Sequence, residues 1–141
     1  MVFGARISEH IATHLPPQAL PADDSDEERI LIDPTIRIPL QLAMSEGAGV
    51  MRSEKSLKAT LATLEQLGTR RTDKPGVDAW EVSNLYYLAT AIVRSALQRQ
   101  ESRGSHWRSD FPETNPDWEK RIIQRLDKSG IWSSTLQAVK K

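Results

Sequence analysis

A single long stretch of helical periodicity constrains the fold of this chain more than any other feature. Between about Asp78 and Ser102, apolar residues recur at spacings of three and four: Val82, Leu85, Ala89, Ile92, Val93 and Ala96. Leu88 and Leu97 widen this stripe, so the helix is expected to contact partners on more than one side. The pattern predicts a long helix over 78–102 around which the shorter elements pack.

Two segments ahead of the long helix also predict helices. Pro39 is tolerated only in a first turn, which favours a helix over 37–46 with Leu40 and Met44 facing inward. Ser53 is a suitable N-cap for a second helix over 53–67, which Gly68 is expected to end. Short connections, including a turn over 69–76, then predict an all-α fold, an antiparallel three-helix bundle.

The two ends of the chain are expected to differ from this bundle. Residues 2–15 have helical spacing, and 16–34 combine four prolines with an acidic run, which is typical of a solvated linker. Residues 1–34 are therefore predicted to be a helical arm with its linker, and 35–141 the bundle domain. Near the C-terminus, "DKSG" at 127–130 favours a short hairpin within a tail that is otherwise expected to be irregular.

Composition excludes several classes of function. Nineteen basic and nineteen acidic residues cancel, so there is no broad attraction to nucleic acid or to an anionic membrane. The absence of cysteine excludes disulfides, thiolate nucleophiles and cysteine-bound metals, and it favours a reducing cytoplasm. No apolar run approaches membrane-spanning length, and no signal-peptide pattern is present.

Motifs that carry chemistry are sparse. His10 and His14 are four residues apart on a predicted helix and could reach one metal ion, but no third ligand is evident and a solvated helix face is the simpler interpretation. There is no phosphate-binding glycine loop and no serine–histidine–acid set. The sequence predicts no metal, cofactor-binding or catalytic residue.

The segment "QESRGSHWRSDFPE" at 100–113 is unusual because it mixes many charges with Trp107 and Phe111. Arginines interleaved with an aromatic residue can bind nucleic acid, but the local carboxylates offset that charge. The residues alone favour an ordered loop whose polar groups bond to one another. Gly104 is expected to be the left-handed cap of the long helix. Arg103 and Arg108 are expected to pair with the nearby carboxylates.

The same segment resembles the C-terminal helical region of the succinate dehydrogenase/fumarate reductase flavoprotein family. The matching positions, which precede an aromatic–proline pair, are Glu101, Ser102, Arg103, Gly104, His106, Arg108 and Asp110. "LQLAMSEGAGVMRSEKSL" at 40–57 is similar to the family's first bundle helix and its turn, and "VFGARISEHI" at 2–11 is similar to the last helix of its FAD-binding domain. The resemblance extends to about Trp118.

This resemblance implies that the chain is an inactive part of a longer FAD-dependent oxidoreductase. The family's catalytic and flavin-binding motifs are missing, so no FAD is expected to bind this chain alone. The seven matching positions are expected to dock onto the missing FAD-binding and capping domains. "WEVSNL" at 80–85 and "HWRSDFPETNP" at 106–116 favour the branch of the family that oxidises an amino acid. A dehydrogenase or reductase subunit and a free-standing helical interaction module are the alternatives.

Overall fold

The computed structural model describes residues 2–14 and 31–139. The helices of this part of the chain are α1 (Val2–His14), α2 (Arg37–Gly47), α3 (Glu54–Leu67) and α4 (Val77–Gln98), with short 3-10 turns at Pro34–Ile36 and Pro116–Trp118. The strands are β1 (Leu31–Ile32), β2 (Met51–Arg52), β3 (Arg71–Thr72), β4 (Trp107–Arg108), β5 (Lys120–Leu126) and β6 (Trp132–Ala138).

The prediction of an all-α three-helix bundle is wrong, because strands pair between and after the helices. The described residues are about 54% helical and 20% strand, so the fold is mixed α/β. β1 pairs with β3 and β5 with β6, both antiparallel, whereas β2 and β4 run parallel. Four of the strands have only two residues each, and so short a strand leaves no alternating pattern in the sequence.

The predicted helices exist, with one displaced end. The Ser53 hydroxyl accepts a hydrogen bond from Ser56 N at 3.1 Å, and the Ser56 hydroxyl accepts one from Ser53 N at 3.0 Å, which caps α3 as expected. α4 ends at Gln98 rather than Ser102, because the backbone becomes extended at Arg99 (φ −79°, ψ 101°).

The core lies between α2, α3 and α4, and the segment before α2 covers one side of it. Leu40, Leu57, Leu64, Val82 and Val93 are buried along the helix faces that the periodicity indicates. Such a core provides the main favourable term for folding.

Residues 31–34 were expected to end a solvated linker, but this stretch and the residues that follow it contribute to the core. Ile32 and Ile36 are fully buried. The Ile32 amide donates to the Ser83 hydroxyl at 2.8 Å, and that hydroxyl donates to Ala79 O at 2.7 Å. These bonds fix β1 to α4. The remainder of the predicted linker, 16–30, lies outside the described residues.

Two glycines allow close packing around α3. A Cβ on Gly47 would lie 1.9 Å from Thr60 Oγ1, so glycine permits the close approach of α2 to α3. Gly68 ends α3 as expected, but with a φ of −64° rather than in the left-handed conformation. A Cβ on Gly68 would lie 2.1 Å from the Tyr86 hydroxyl, which packs directly over it.

The C-terminal hairpin is confirmed. β5 and β6 pair in register from Lys120–Ala138 to Leu126–Trp132, and Gly130 in the turn has the left-handed φ of 78°. The Asp127 carboxylate holds the turn by accepting from the amides of Ser129 and Ile131 at 2.9 and 2.8 Å.

α1 forms the predicted first helix, and its side chains from Phe3 to His14 are exposed. The predicted division between a 1–34 arm and a 35–141 domain stays an expectation. Among the described helices, none has the length and apolar character needed to cross a bilayer.

Candidate functional site

The positions that resemble the flavoprotein family meet at one end of the molecule, where α3 begins and α4 ends. We call residues 101–110 the signature segment. It runs out from α4, turns, and returns as β4, which pairs in parallel with β2 just before α3. This pairing places the signature segment against both helix ends.

Arg108 and Asp110 connect these two helix ends. Arg108 is 1% exposed, and its Nε and Nη2 donate to the two oxygens of Asp110, both at 2.8 Å. Its Nη1 donates to Ala96 O at 2.8 Å and to Leu97 O at 3.2 Å, carbonyls at the end of α4. Asp110 also accepts from Glu54 N, the first residue of α3, at 2.8 Å. The cation therefore lies at a helix C-terminus and the anion at a helix N-terminus, as both helix dipoles favour.

Glu101 is a second buried charge and has a full set of partners. Its carboxylate is 0% exposed and accepts from Arg99 Nη1 at 2.5 Å, from Arg103 Nε and Nη2 at 3.0 and 3.1 Å, and from Asn115 N at 2.9 Å. Burial would raise the pKa of Glu101, but hydrogen bonds from Arg103, Asn115 N and Arg99 outweigh it and lower the pKa to about 2. The predicted pairing of Arg103 and Arg108 with these carboxylates is confirmed.

Ser102 and Gly104 shape the backbone between the two ion pairs. The Ser102 hydroxyl donates to Phe111 O and accepts from Arg108 N, each at 2.9 Å. Gly104 has the expected left-handed φ of 57°, but it lies six residues beyond the end of α4 and is not its cap. It occupies a tight turn in which Arg103 and His106 exchange backbone hydrogen bonds of 2.8 and 3.0 Å.

His106 joins the signature segment to Arg52, a contact that sequence reasoning missed. His106 Nδ1 accepts from Arg52 Nη1 at 3.1 Å, because a guanidinium can only donate, and Nε2–H therefore donates to Arg99 O at 3.2 Å. Burial lowers the pKa of His106, and the nearby arginines lower it further. The two residues are 54 positions apart in the sequence, where no spacing rule applies.

An open groove of about 450 Å³ lies beside this contact. It runs between α4 and β5, and its lining residues are Arg52, Ala91, Ile92, Ser95, Ala96, Arg99, His106, Ile122 and Gln124. No carboxylate is among them, so the groove has a basic end and apolar walls.

On the opposite face of the β2–β4 pair, apolar side chains are exposed. Met51 lies opposite Trp107 in the register, and the two are 70% and 53% exposed. Val50 beside them is 78% exposed. We call Val50, Met51 and Trp107 the apolar patch. Trp107 belongs to the signature segment, in which the charged side chains of Glu101 and Arg108 are buried.

The remaining candidate residues, His10 and His14, lie side by side on α1. His10 and His14 stack with 4.3 Å between ring centroids on α1, and His14 Nδ1 bonds with the Thr13 hydroxyl at 2.7 Å. Within 2–14 and 31–139, no three residues of metal-binding type are grouped so that they could hold an ion.

The arrangement is suited to holding the fold rather than to acid–base chemistry. Both carboxylates of the signature segment are held by guanidinium groups, and hydrogen bonds from Arg108 lower the pKa of Asp110. A carboxylate stabilised in this way is a weak base at neutral pH. The site therefore joins helix ends and offers a neighbouring apolar surface.

Comparison with known proteins supports the resemblance. Residues 37–138 match the family described as fumarate reductase flavoprotein C-term. An L-aspartate oxidase from Streptomyces coelicolor is 35% identical over 123 residues, which cover 79% of this chain and 21% of that enzyme. A fumarate reductase (CoM/CoB) polypeptide from Methanothermobacter marburgensis is 37% identical over 98 residues, covering 62% of this chain and 18% of the relative.

A solved structure shares the fold as well. An adenosine-5-phosphosulfate reductase in complex with sulfite aligns with a TM-score of 0.68 and 28% identity, over 86% of this chain and 21% of that one. The chain thus spans about a fifth of the length of these relatives.

Proposed function

Since the chain belongs to the fumarate reductase flavoprotein C-terminal family, we propose that it is the C-terminal structural domain of a longer, FAD-dependent L-aspartate oxidase. The whole enzyme would oxidise L-aspartate to iminoaspartate, a step that feeds NAD biosynthesis. The observation that carries this proposal is the 35% identity to an L-aspartate oxidase over 79% of the chain. A cytoplasmic location and the FAD cofactor are part of the same proposal.

The domain's own role would be to support the rest of the enzyme. The charges of the signature segment are already paired within this chain, so the docking expected of these positions would act through the shape that they give this end of the domain. At this end of the molecule, the apolar patch of Val50, Met51 and Trp107 exposes apolar side chains to solvent. We propose that this patch docks onto the FAD-binding and capping domains.

An activity assay tests the first part of the proposal. The 141-residue chain, incubated with FAD and L-aspartate, is expected to retain no flavin absorbance after gel filtration and to form no hydrogen peroxide. The longer protein is expected to bind flavin and to form peroxide with L-aspartate. Stoichiometric flavin on the 141-residue chain would contradict the structural role.

A fumarate reductase or succinate dehydrogenase flavoprotein is the second candidate, favoured by the 37% identity to the fumarate reductase polypeptide. Substrate preference separates the two. If the longer protein oxidised succinate or reduced fumarate and left L-aspartate unchanged, the second candidate would replace the first.

Docking is tested in the longer protein by Trp107→Ala. Truncating a 53% exposed side chain should change the stability of the 141-residue chain little, while it weakens flavin retention in the longer protein. Trp80→Ala is the matched control, because Trp80 is 54% exposed on α4, outside the apolar patch. Equal flavin loss in the two variants would exclude the apolar patch as the docking surface.

A further inference from the structure

The guanidinium of Arg52 has donors that the described chain does not use. Of its five N–H groups, Nε donates to Ala48 O and Gly49 O at 3.1 and 2.7 Å, and one Nη1–H goes to His106. The other three have no hydrogen-bond partner among residues 31–139. Arg52 also has no carboxylate partner there, unlike Arg99, Arg103 and Arg108, which all pair with an acid.

Two more polar side chains in the same groove are also unused. Ser95 on α4 and Gln124 on β5 line the groove with Arg52. Neither side chain makes a hydrogen bond to any residue in the described ranges. The Ser95 hydroxyl and the Gln124 amide are donors on the two walls, while Ile92 and Ile122 provide the apolar surface between them.

The hydrogen bonds of His106 keep Arg52 at this site. Because Nδ1 accepts from Arg52 and Nε2 donates to Arg99 O, the ring is in its neutral form and adds no charge of its own. At the basic end of the groove, Arg52 is therefore the guanidinium without a carboxylate partner among the described residues, since Arg99 pairs with Glu101, which also pairs with Arg103.

We propose that this groove is a carboxylate-binding site, in which Arg52 binds the carboxylate of a small organic acid and the walls accept its aliphatic part. A guanidinium matches the planar, two-oxygen shape of a carboxylate. One unpaired guanidinium beside apolar walls favours a carboxylate with a short carbon chain over a more highly charged, fully polar anion. The site is independent of the flavin chemistry proposed above.

Titration with sodium acetate tests the site on the 141-residue chain by NMR, with sodium chloride at equal ionic strength as the reference. Acetate is expected to shift the Ser95 amide and the His106 ring signals in a saturable way, in the millimolar range. Arg52→Gln should weaken the affinity by about tenfold or more, the value of a charge-assisted hydrogen bond. Arg94→Gln is the control: Arg94 is beside Ser95 on α4 but lines a different groove, so acetate binding should not change.

Two outcomes would overturn the proposal. One is a response to acetate that equals the response to chloride, and the other is an unchanged affinity in Arg52→Gln. Arg52 also holds the carbonyls of Ala48 and Gly49 just after α2, so circular dichroism has to confirm that the variant folds. If it does not fold, Arg52→Lys is the second variant, because lysine keeps the positive charge but lacks the planar guanidinium that matches both carboxylate oxygens. It should still bind several-fold more weakly, and wild-type affinity in that variant would likewise reject the site.

Discussion

Arg108 is the residue whose environment differs most from a surface charge. An exposed ion pair is worth little, whereas removing one partner of a buried pair leaves the other charge and several carbonyls without donors. Arg108 is 1% exposed, so its pair with Asp110 is of the buried kind. This burial comes from this chain itself and needs no neighbouring domain. The signature segment is thus part of the stabilising interior of the domain itself.

Arg108→Ala should therefore destabilise the 141-residue chain by about 3 kcal/mol, the lower end of the range for a buried pair, because Asp110 retains some contact with water. Urea unfolding measures this change. Lys58→Ala is the control, since it breaks the exposed pair with Glu54 and should cost less than about 0.5 kcal/mol. Similar values for both variants would show that burial does not strengthen the Arg108 pair.

Glu101 should make the domain sensitive to acid. Its pKa is lowered to about 2 in the folded chain, below the ordinary 4.5 of an unfolded glutamate. The stability that the carboxylate contributes is then fully present above pH 4.5 and lost as the pH falls toward 2. Urea unfolding at several pH values should show Glu101→Gln far less stable than wild type at pH 7, with the difference shrinking in acid. A difference that does not depend on pH would contradict this account.

Gly104 should resist replacement because of its backbone and not because of crowding. Its φ is 57°, and a Cβ placed there would meet no atom within 4 Å. Gly104→Val should cost about 1–2 kcal/mol, the usual range for a strained backbone. Gly104→Asn should cost less, since asparagine tolerates positive φ better. Thermal melts of the two variants provide the measurement, and no loss for valine would rule out the left-handed turn.

At the scale of elements, β1 is the part that the sequence indicated least. Two residues cannot show periodicity, and their proline-rich surroundings are typical of a linker. The long helices were predictable because their apolar stripes extend over three or more turns. The early end of α4 was not predictable from the sequence. Its last carbonyls accept hydrogen bonds from Arg108, which lies ten residues further along the chain.

Through Ile32, β1 contributes measurably to the free energy of unfolding of the domain. Ile32→Ala should cost about 2–5 kcal/mol, since the side chain is fully buried and its removal leaves a cavity. Ile38→Ala is the matched control, because Ile38 is 60% exposed on α2 and its loss should be nearly neutral. Chemical denaturation of both variants tests the difference, and equal small losses would mean that β1 is not part of the core.

At the scale of the whole molecule, the contacts that join different segments of the chain could be predicted only in part. The pairing of Arg103 and Arg108 with carboxylates followed from their closeness in the sequence. The contact of Arg52 with His106 depends on the parallel pairing of β2 and β4, which brings distant segments together. Long-range pairings of two residues leave no trace in a single sequence, so this part of the site required the structure.

The hairpin should be separable from the helical part. All residues of the hydrophobic core described here lie between Ile32 and Ala96, ahead of β5. Ending the chain after Glu119 removes the bond from Arg99 Nη2 to Lys120 O and that from Ser134 to Gln98. The helical circular dichroism should persist, with the melting temperature lowered by roughly 4–8 °C for about 1 kcal/mol lost. Loss of the helical signal would show that the core depends on the hairpin.

The link that Arg108 and Asp110 make between α3 and α4 also has a kinetic consequence. Both helix ends have to be formed and aligned before one guanidinium–carboxylate pair can contact them together, so we expect the link to form after the rate-limiting step of folding. Its loss would then leave the refolding rate nearly unchanged and speed up unfolding. Stopped-flow measurements on Arg108→Ala test this expectation, and slower refolding would place the link in the folding nucleus. With refolding unchanged and unfolding faster in that variant, the pair would mainly set how long the folded domain persists.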